Sequence, residues 1–289
     1  MLWENLREEE FDGAIEKSGG VCIVPIGCLE MHGQHLPVGT DVQTCYHIAK
    51  EAAKIEPVVV FPPIYFGSIP GLRGNNGRKG GIDLSLELRL RLLDELCAEI
   101  AKNGFKKIMF LNGHGGNLSF LSSFVRDCLR TQKDYIVLTR NDFQYGAHTI
   151  LREYDAGQKF PELTDEDIAY IRDFVEHKYQ SGHGCINETA IMNAINPEAV
   201  DMSRANVVDG TCRRNTNHLA RKTIGIEGGG FWLLDFPDSY AGEHVEGANA
   251  RIGSVILRKR IEYQAEACRL LKEDTKIFDM HMQNWGYTN

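Results

Sequence analysis

Residues 26–41, with the sequence IGCLEMHGQHLPVGTD, concentrate side chains that could bind a metal ion. Glu30 and His32 are spaced i, i+2, so in an extended segment they would point to the same side. Asp41 follows the PVGT turn, and its two carboxylate oxygens could bridge two cations. Taken alone, Asp41 could instead be the N-cap of the next helix. The stretch therefore predicts part of a metal site, which other segments must complete.

Two glycine-flanked segments add donors of the same kinds. His114 lies in NGHGGN, and His183 and Glu188 lie in SGHGCINETA. Each has an ordinary alternative, such as a polar strand-end residue or a first-turn helix acid. Burying so many ionisable groups without a cation would be costly, and mixed imidazole and carboxylate ligands suit Zn, Mn or Fe(II). The candidate metal-binding residues are therefore Glu30, His32, Asp41, His114, His183 and Glu188.

The elements that must position these residues follow from the apolar pattern. Short apolar runs predict buried strands, and leucines at helical spacing predict helices. Their alternation predicts right-handed βαβ units and an α/β fold with a mostly parallel sheet covered on both faces. The predicted strands are 20–27, 106–111, 135–140 and one that begins in 57–66 and is broken there by two prolines. The predicted helices are 41–54, 85–103, 117–131, 165–178, 187–195 and 246–273.

Ligands of open parallel sheets bind at the carboxyl ends of the strands. The histidine-bearing turns 27–33 and 112–117 both follow predicted strands, and their glycines allow sharp turns and close backbone approach. Residues 67–83 form a long glycine-rich loop, a kind that is usually functional or disordered. Residues 141–182 look like an irregular insertion with some helix. Because no linker interrupts the chain, we expect one domain over residues 1–289.

Composition excludes several classes of function. The chain has 289 residues, 43% of them hydrophobic, and a formal net charge of −8. Its basic residues do not cluster, which argues against nucleic-acid binding. No apolar run approaches the ~18 residues of a membrane span, and the N-terminus does not resemble a secretory signal. Eight cysteines without a C-x-x-C pair favour a reducing, cytoplasmic compartment.

Three segments carry a resemblance to a known family. PIGCLEMHGQHLPVGTD, LNGHGGN and HGCINETAIM resemble the signature segments of the creatininase (creatinine amidohydrolase) family, in order and spacing, from about residue 20 to residue 200. The resemblance implies a single three-layer α/β/α domain with a metal site at the strand ends. It also implies hydrolysis of C–N bonds other than peptide bonds, and a homo-oligomer, with a ring-like hexamer as in creatininase relatives.

The resemblance also assigns roles to residues. It implies that one ion binds to His32, Asp41 and Glu188, and that a second binds to Glu30, Asp41 and His114, with Asp41 as the bridge. His183 falls on a family histidine near the substrate that moves protons, and Glu188 would be both ligand and relay. Zinc is the first expectation for the metal, followed by Mn or Fe(II), with one or two ions per subunit.

The sequence departs from creatininase at several positions. Gly116 stands where creatininase has a glutamate that serves the second metal, which weakens that site here. Asn141 and Tyr179 stand roughly where creatininase has two tryptophans over its substrate, so creatinine is not the expected substrate. The loop 74–85 also differs, and Arg73, Arg78 and Lys79 in or beside it could meet an anionic group or could simply be solvated. His35 has no assigned role.

These features predict an amidohydrolase that cleaves a cyclic amide, a formamide or a related small amide with metal-activated water. A histidine such as His183 suits proton exchange at neutral pH. The main alternative is a metal-binding sensor or non-catalytic ligand-binding protein of the same fold. A cysteine hydrolase that uses Cys28 or Cys185 is a weaker alternative, because Glu30 would raise the pKa of the Cys28 thiol.

Overall fold

A four-stranded parallel sheet forms the centre of the molecule. The computed structural model describes residues 1–69, 79–219, 225–228 and 230–284. Within them the strand order is β2–β1–β3–β4, and every pairing is parallel. The strands are β1 (Val21–Ile26), β2 (Val59–Val60), β3 (Lys107–Asn112) and β4 (Ile136–Asn141).

Helices cover both faces of this sheet. In chain order they are α1 (Phe11–Ser18), α2 (Thr40–Ile55), α3 (Leu86–Lys102), α4 (Asn117–Asp127), α5 (Ala147–Asp155), α6 (Asp165–Glu176), α7 (Ile186–Ile195), α8 (Phe231–Asp235), α9 (Ala250–Glu273) and α10 (Lys276–Asn284). Short 3₁₀ turns lie between some of them, as at Cys128–Arg130 directly after α4.

Strand β1 is buried along its whole length, and its side chains divide between two cores. Val21 and Ile23 pack in one core with residues of α2, α5, α6, α7 and α9. Cys22, Val24 and Ile26 pack in the other core with residues of α1, α3 and α4. Alternate side chains of a strand point to opposite faces, so the apolar run of β1 reflects burial on both. The predicted α/β sandwich with a parallel sheet is confirmed.

The observed elements differ from the predicted ones in part. The segment 57–66 begins as strand Val59–Val60 and is broken at its two prolines, as predicted, because proline cannot donate to a ladder; only an isolated bridge at Ile64 follows. The insertion 141–182 is less irregular than predicted, since it contains α5 as well as α6. Helices α1 and α10 were not predicted.

Within the described residues, no helix combines the length and the apolar character needed to cross a membrane.

Candidate metal centre

Three strands end level with one another. Ile26 of β1 pairs with Asn112 of β3, and Asn112 pairs with Asn141 of β4. The segments that follow these residues therefore leave the sheet at the same edge, which is where ligands of open parallel sheets bind.

Two glycines bring the start of α2 against this edge. A Cβ at Gly27 would lie 2.7 Å from the backbone nitrogen of Val42, and a Cβ at Gly113 would lie 2.8 Å from the carbonyl oxygen of Asp41. Real side chains do not tolerate such distances, so glycine permits the close approach. The first turn of α2 consequently delivers Asp41 to the ends of β1 and β3.

Asp41 is not the helix N-cap that its position suggested. The N-cap of α2 is Gly39, which makes no side-chain capping bond. The Asp41 side chain instead turns inward and is buried. Its Oδ1 lies 3.0 Å from His32 Nε2, and its Oδ2 lies 2.9 Å from His114 Nδ1. The two oxygens thus face two different imidazoles.

The three imidazoles share one arrangement. His32 Nδ1 donates to the carbonyl oxygen of Glu30 at 3.0 Å, and His114 Nε2 donates to that of Ser68 at 2.9 Å. His183 Nε2 donates to the carbonyl oxygen of Met31. A carbonyl can only accept, so in the neutral ring the opposite nitrogen carries a lone pair. Metal-binding histidines are oriented by this kind of contact.

The opposite ring nitrogens face carboxylates. Glu30 Oε1 lies 3.0 Å from His114 Nδ1 and 3.3 Å from His183 Nδ1, yet it makes no aligned hydrogen bond within the described residues. Glu188 Oε2 lies 3.8 Å from His32 Nε2 and accepts the backbone N–H of Gly184 at 2.6 Å. Glu30 is buried and Glu188 is partly exposed.

The carboxylates and imidazoles of this cluster shift one another's pKa values. Burial alone would raise the pKa of Glu30, but the charges of His114 and His183 outweigh it and lower that pKa to about 2. Burial alone would lower the pKa of His32, but Asp41 and Glu188 raise it to about 10. In the same way the pKa of His114 lies well above its ordinary value. The site strongly favours positive charge, which either protons or a cation can supply.

The donor atoms fit metal ions. Within the described residues, three groups bring potential ligand atoms within 4.8 Å of one another. One is His32, Asp41 and Glu188; another is Glu30, Asp41 and His114 joined by Cys28; the third is Glu30, His32 and His183. The predicted ligands therefore lie together, and the orphaned Glu30 Oε1 is the kind of buried atom that a cation would satisfy.

His35 gains a structural neighbour. It is buried, and its Nε2 donates to Thr189 Oγ1 at 2.9 Å, while that hydroxyl donates to the carbonyl oxygen of Gly184. Burial, followed by the charge of His32, lowers the pKa of His35 to about 4, so its ring is neutral at pH 7. His35 therefore ties the first histidine segment to the residue next to Glu188.

A cavity of about 580 Å³ opens beside the cluster, a size suited to a small molecule. Of the predicted site residues, all but His32 line it, and so does Lys79; Asp142, Phe143, Trp232 and Arg260 line it as well. Asp142 and Phe143 directly follow β4, so the strand-end rule could have found them. Trp232 and Arg260 come from distant segments and carried no sequence signal.

Four other residues were expected near the substrate: Asn141, Tyr179, Arg73 and Arg78. Asn141 Oδ1 accepts from Asn112 Nδ2 at 3.0 Å, and the ring of Tyr179 stacks on His244 at 4.7 Å. Neither residue lines the cavity formed by the described residues, and their correspondence to the two tryptophans stays a prediction. Arg73 and Arg78 lie outside the described residues.

The two cysteines near the site are poor nucleophiles. Burial, followed by the charge of Asp41, raises the pKa of the Cys28 thiol well above its ordinary value. Burial, followed by the charge of Glu188, raises the pKa of Cys185 to about 11. Thiols of this kind are not ionised at neutral pH, which argues against a cysteine hydrolase.

Curated proteins with similar sequences carry the names of hydrolases. A creatinine amidohydrolase from Pseudomonas putida is 26% identical over 213 residues, which cover 71% of this chain and 74% of that protein. A mycofactocin precursor peptide peptidase from Mycolicibacterium smegmatis is 30% identical over 112 residues, 36% of this chain and 42% of that protein. A 2-amino-5-formylamino-6-ribosylaminopyrimidin-4(3H)-one 5′-monophosphate deformylase from Methanococcus voltae is 32% identical over 89 residues, 31% of this chain and 32% of that protein.

Solved structures share the fold along nearly the whole chain. A crystal structure of creatinine amidohydrolase (creatininase) superposes with a TM-score of 0.70 at 19% identity, covering 95% of this chain and 98% of that one. A mutant creatininase of Zn–Zn type and a manganese creatininase, both 20% identical, give TM-scores of 0.67 and 0.68. The family model described as creatinine amidohydrolase matches residues 4–268. With that match spanning most of its length, the chain belongs to the creatininase family.

Proposed function

We propose that this protein is a metal-dependent hydrolase that cleaves a C–N bond, other than an ordinary peptide bond, in a small amide. The observation that carries the proposal is the shared arrangement of His32, His114 and His183. Each ring has one nitrogen on a backbone carbonyl and the other turned towards buried carboxylates. Two of these rings, His114 and His183, line a cavity large enough for a small substrate.

The proposed centre would hold one or two ions, with Asp41 as a ligand to both when two are bound. His32, Asp41 and Glu188 would hold one ion, and Glu30, Asp41 and His114 would hold the other. The observed direction of the two Asp41 oxygens, one towards His32 and one towards His114, supports the bridging role. When bound, such ions supply an activated water and polarise the carbonyl that is attacked. Zinc is the first candidate and manganese the second, because creatininases of both kinds are known.

The chain's own residues would orient the substrate and move protons. We assign His183 to proton transfer, because its Nδ1 faces Glu30 while its ring lines the cavity. Glu188 is fixed by the Gly184 N–H, so its second oxygen is available for a ligand or relay role. Backbone N–H groups of the turn at Gly113–Gly116, which also lines the cavity, are candidate donors to a developing oxyanion.

The cavity supports a substrate other than creatinine. Phe143 and Trp232 supply its aromatic surface, while Lys79 and Arg260 supply positive charge. Formamides, lactams and cyclic ureides of small size are the compounds we propose. The free thiols of all eight cysteines support the proposed reducing, cytoplasmic location.

Elemental analysis and a substrate screen on one purified sample test this function. We expect one to two equivalents of Zn or Mn per chain, and turnover of at least one formamide, lactam or ureide that chelation abolishes and added metal restores. Short peptides belong in the panel, because one relative is named a peptidase. A metal-free protein would contradict the proposal. A metal-loaded protein that is inert towards the panel would favour a ligand-binding role instead.

A further inference from the structure

Cys28 lies against the side of the centre that contains Glu30 and His114. Its side chain is fully buried, and its Sγ lies 3.1 Å from Asp41 Oδ2. The sulfur belongs to the group in which Cys28, Glu30, Asp41 and His114 bring their donor atoms within 4.8 Å of one another. Ligands on a tetrahedral zinc ion lie roughly 3.3–3.8 Å apart, given bonds of about 2.0–2.3 Å, so four such atoms suit one ion.

Gly116, in the turn after β3, leaves no room for a side-chain ligand at its position. A Cβ at Gly116 would lie 2.3 Å from the Ser68 carbonyl oxygen and 2.4 Å from His114 Nε2. These two atoms are hydrogen-bonded to each other, so neither can give way without freeing the ring that the carbonyl orients. Position 116 therefore supplies no side chain, and among the described residues an ion in this group would have Glu30, Asp41 and His114 as side-chain ligands besides Cys28.

A second observation points to an ion at this place. Glu30 Oε1 is buried and makes no aligned hydrogen bond within the described residues, although His114 Nδ1 lies 3.0 Å away and the oxygen belongs to the same group of donor atoms. An unsatisfied buried carboxylate oxygen is costly unless something positive binds to it. Glu30 Oε1 and Cys28 Sγ thus lie close enough to bind the same cation.

We propose that Cys28 binds, as a thiolate, to the ion held by Glu30, Asp41 and His114. This inference rests on the proposed function, because it presupposes the metal centre. The thiol proton leaves to solvent when the ion binds, and no electron is transferred. The result is a centre with two unlike halves: one has a sulfur ligand, and the half at His32 and Glu188 has only nitrogen and oxygen ligands.

The unlike ligands give the two halves different metal preferences. Thiolate is a soft ligand that favours Zn, whereas carboxylate and imidazole also suit Mn. The half that contains Cys28 therefore selects zinc. A mixed centre, with zinc beside Cys28 and either metal beside Glu188, follows from this difference.

X-ray absorption at the zinc edge of the zinc-loaded full-length protein tests the proposal directly. We expect a sulfur scatterer at about 2.3 Å in addition to nitrogen and oxygen at about 2.0–2.2 Å. Cobalt substitution gives a second readout, since a thiolate–Co(II) bond produces an intense near-ultraviolet charge-transfer band that nitrogen and oxygen ligands do not.

Two cysteine variants sharpen the test. Cys28→Ser should remove the charge-transfer band and weaken binding of one zinc about tenfold or more, with little change for manganese. Cys185→Ser is the matched control, because Cys185 is, like Cys28, a buried cysteine close to the centre, lining the cavity beside it, but lies outside the three groups of donor atoms. That variant should keep both the band and the zinc affinity.

A zinc-loaded protein with only nitrogen and oxygen neighbours would overturn the proposal and leave Cys28 as a hydrogen-bond donor to Asp41. A charge-transfer band that survives in Cys28→Ser would overturn it as well. If Cys28→Ser does not fold, the absorption spectrum of the wild-type protein still decides. Failure of the protein to bind any metal would instead overturn the proposed function, so the two failures are distinguishable.

Discussion

The two carboxylate oxygens of Asp41 contact different partners. Oδ1 faces His32, while Oδ2 faces His114 and the sulfur of Cys28. We expect Asp41→Asn to lose at least one metal ion per chain and to lower kcat/KM roughly 100-fold or more. The amide nitrogen would donate where an oxygen must accept, so the bridge would be lost. Elemental analysis and the rate on a substrate found in the screen measure both effects.

Asp142→Asn is the control for that substitution. Asp142 is also buried and lines the same cavity, but it lies outside the groups of donor atoms. Burial raises its pKa to about 6, so an amide resembles a form that the native residue readily adopts. This variant should keep its metal. Equal metal loss in both variants would contradict the special position of Asp41.

A substitution of His183 can distinguish a role in proton transfer from a role in metal binding. Because one ring nitrogen is held by the Met31 carbonyl and the other faces Glu30, we expect His183→Ala to keep its metal and lose rate by about 10²–10⁴-fold. The pH–rate profile should lose one of its limbs. His183 also lies within ligand distance of Glu30 and His32, so loss of metal would make it a ligand.

The residues that could be predicted from the sequence are those whose type and local neighbours indicate metal binding. Histidines and carboxylates beside glycines at strand ends were recognisable, and the structure brings all six of those residues together. The partner of His35 was not recognisable, since Thr189 is 154 residues away. Arg260 and Trp232 were missed for the same reason, because only the folded chain brings them to the cavity.

At the scale of elements, Asp167 joins the starts of two helices. Its carboxylate accepts from the Thr164 backbone at the start of α6, from the Asn249 N-cap of α9, and from Arg251 at 2.6 and 2.8 Å. We expect Asp167→Asn to lower the free energy of unfolding by about 1–3 kcal/mol, measured in urea. Exposed Asp165 on the same turn is the control, and Asp165→Asn should cost less than about 1 kcal/mol.

The same carboxylate gives a pH dependence with a definite sign. Burial alone would raise its pKa, but Arg251 and the cap bonds lower that pKa from 3.8 to about 2. A lowered folded-state pKa contributes stability above the ordinary value that is lost as pH falls towards 2. Wild-type protein should therefore lose more stability between pH 4 and pH 2 than Asp167→Asn does. Equal losses would remove Asp167 as a source of acid sensitivity.

Elements with a clear period were predictable, and those without one were not. The leucine spacing of α3 and the apolar runs of β1, β3 and β4 gave correct element types within a few residues. Helix α5 was hidden inside a polar segment, and the isolated bridge at Ile64, beyond the two prolines that end β2, is set by packing. Both features depend on contacts between distant segments, which a local sequence pattern does not show.

For the whole molecule, the proposed ligands come from four separate segments. Glu30 and His32 follow β1, Asp41 begins α2, His114 follows β3 and Glu188 begins α7, so one centre ties together the sheet and the helices of one face. The single domain and the homo-oligomer stay predictions. A centre that spans the chain in this way should couple metal binding to unfolding of the entire chain.

We therefore expect one cooperative thermal transition that metal shifts as a whole. A ligand at 100 times its Kd stabilises the native state by about 2.7 kcal/mol, which corresponds to a rise in Tm of roughly 5 °C for a chain of this size. Calorimetry of the metal-loaded and chelated protein measures the shift, and Asp41→Asn should reduce it. Because Asp41 lies between both halves of the centre, a full shift in that variant would place the stabilising metal elsewhere. Two transitions, only one of which responds to metal, would divide the chain into two domains and contradict the single-domain prediction.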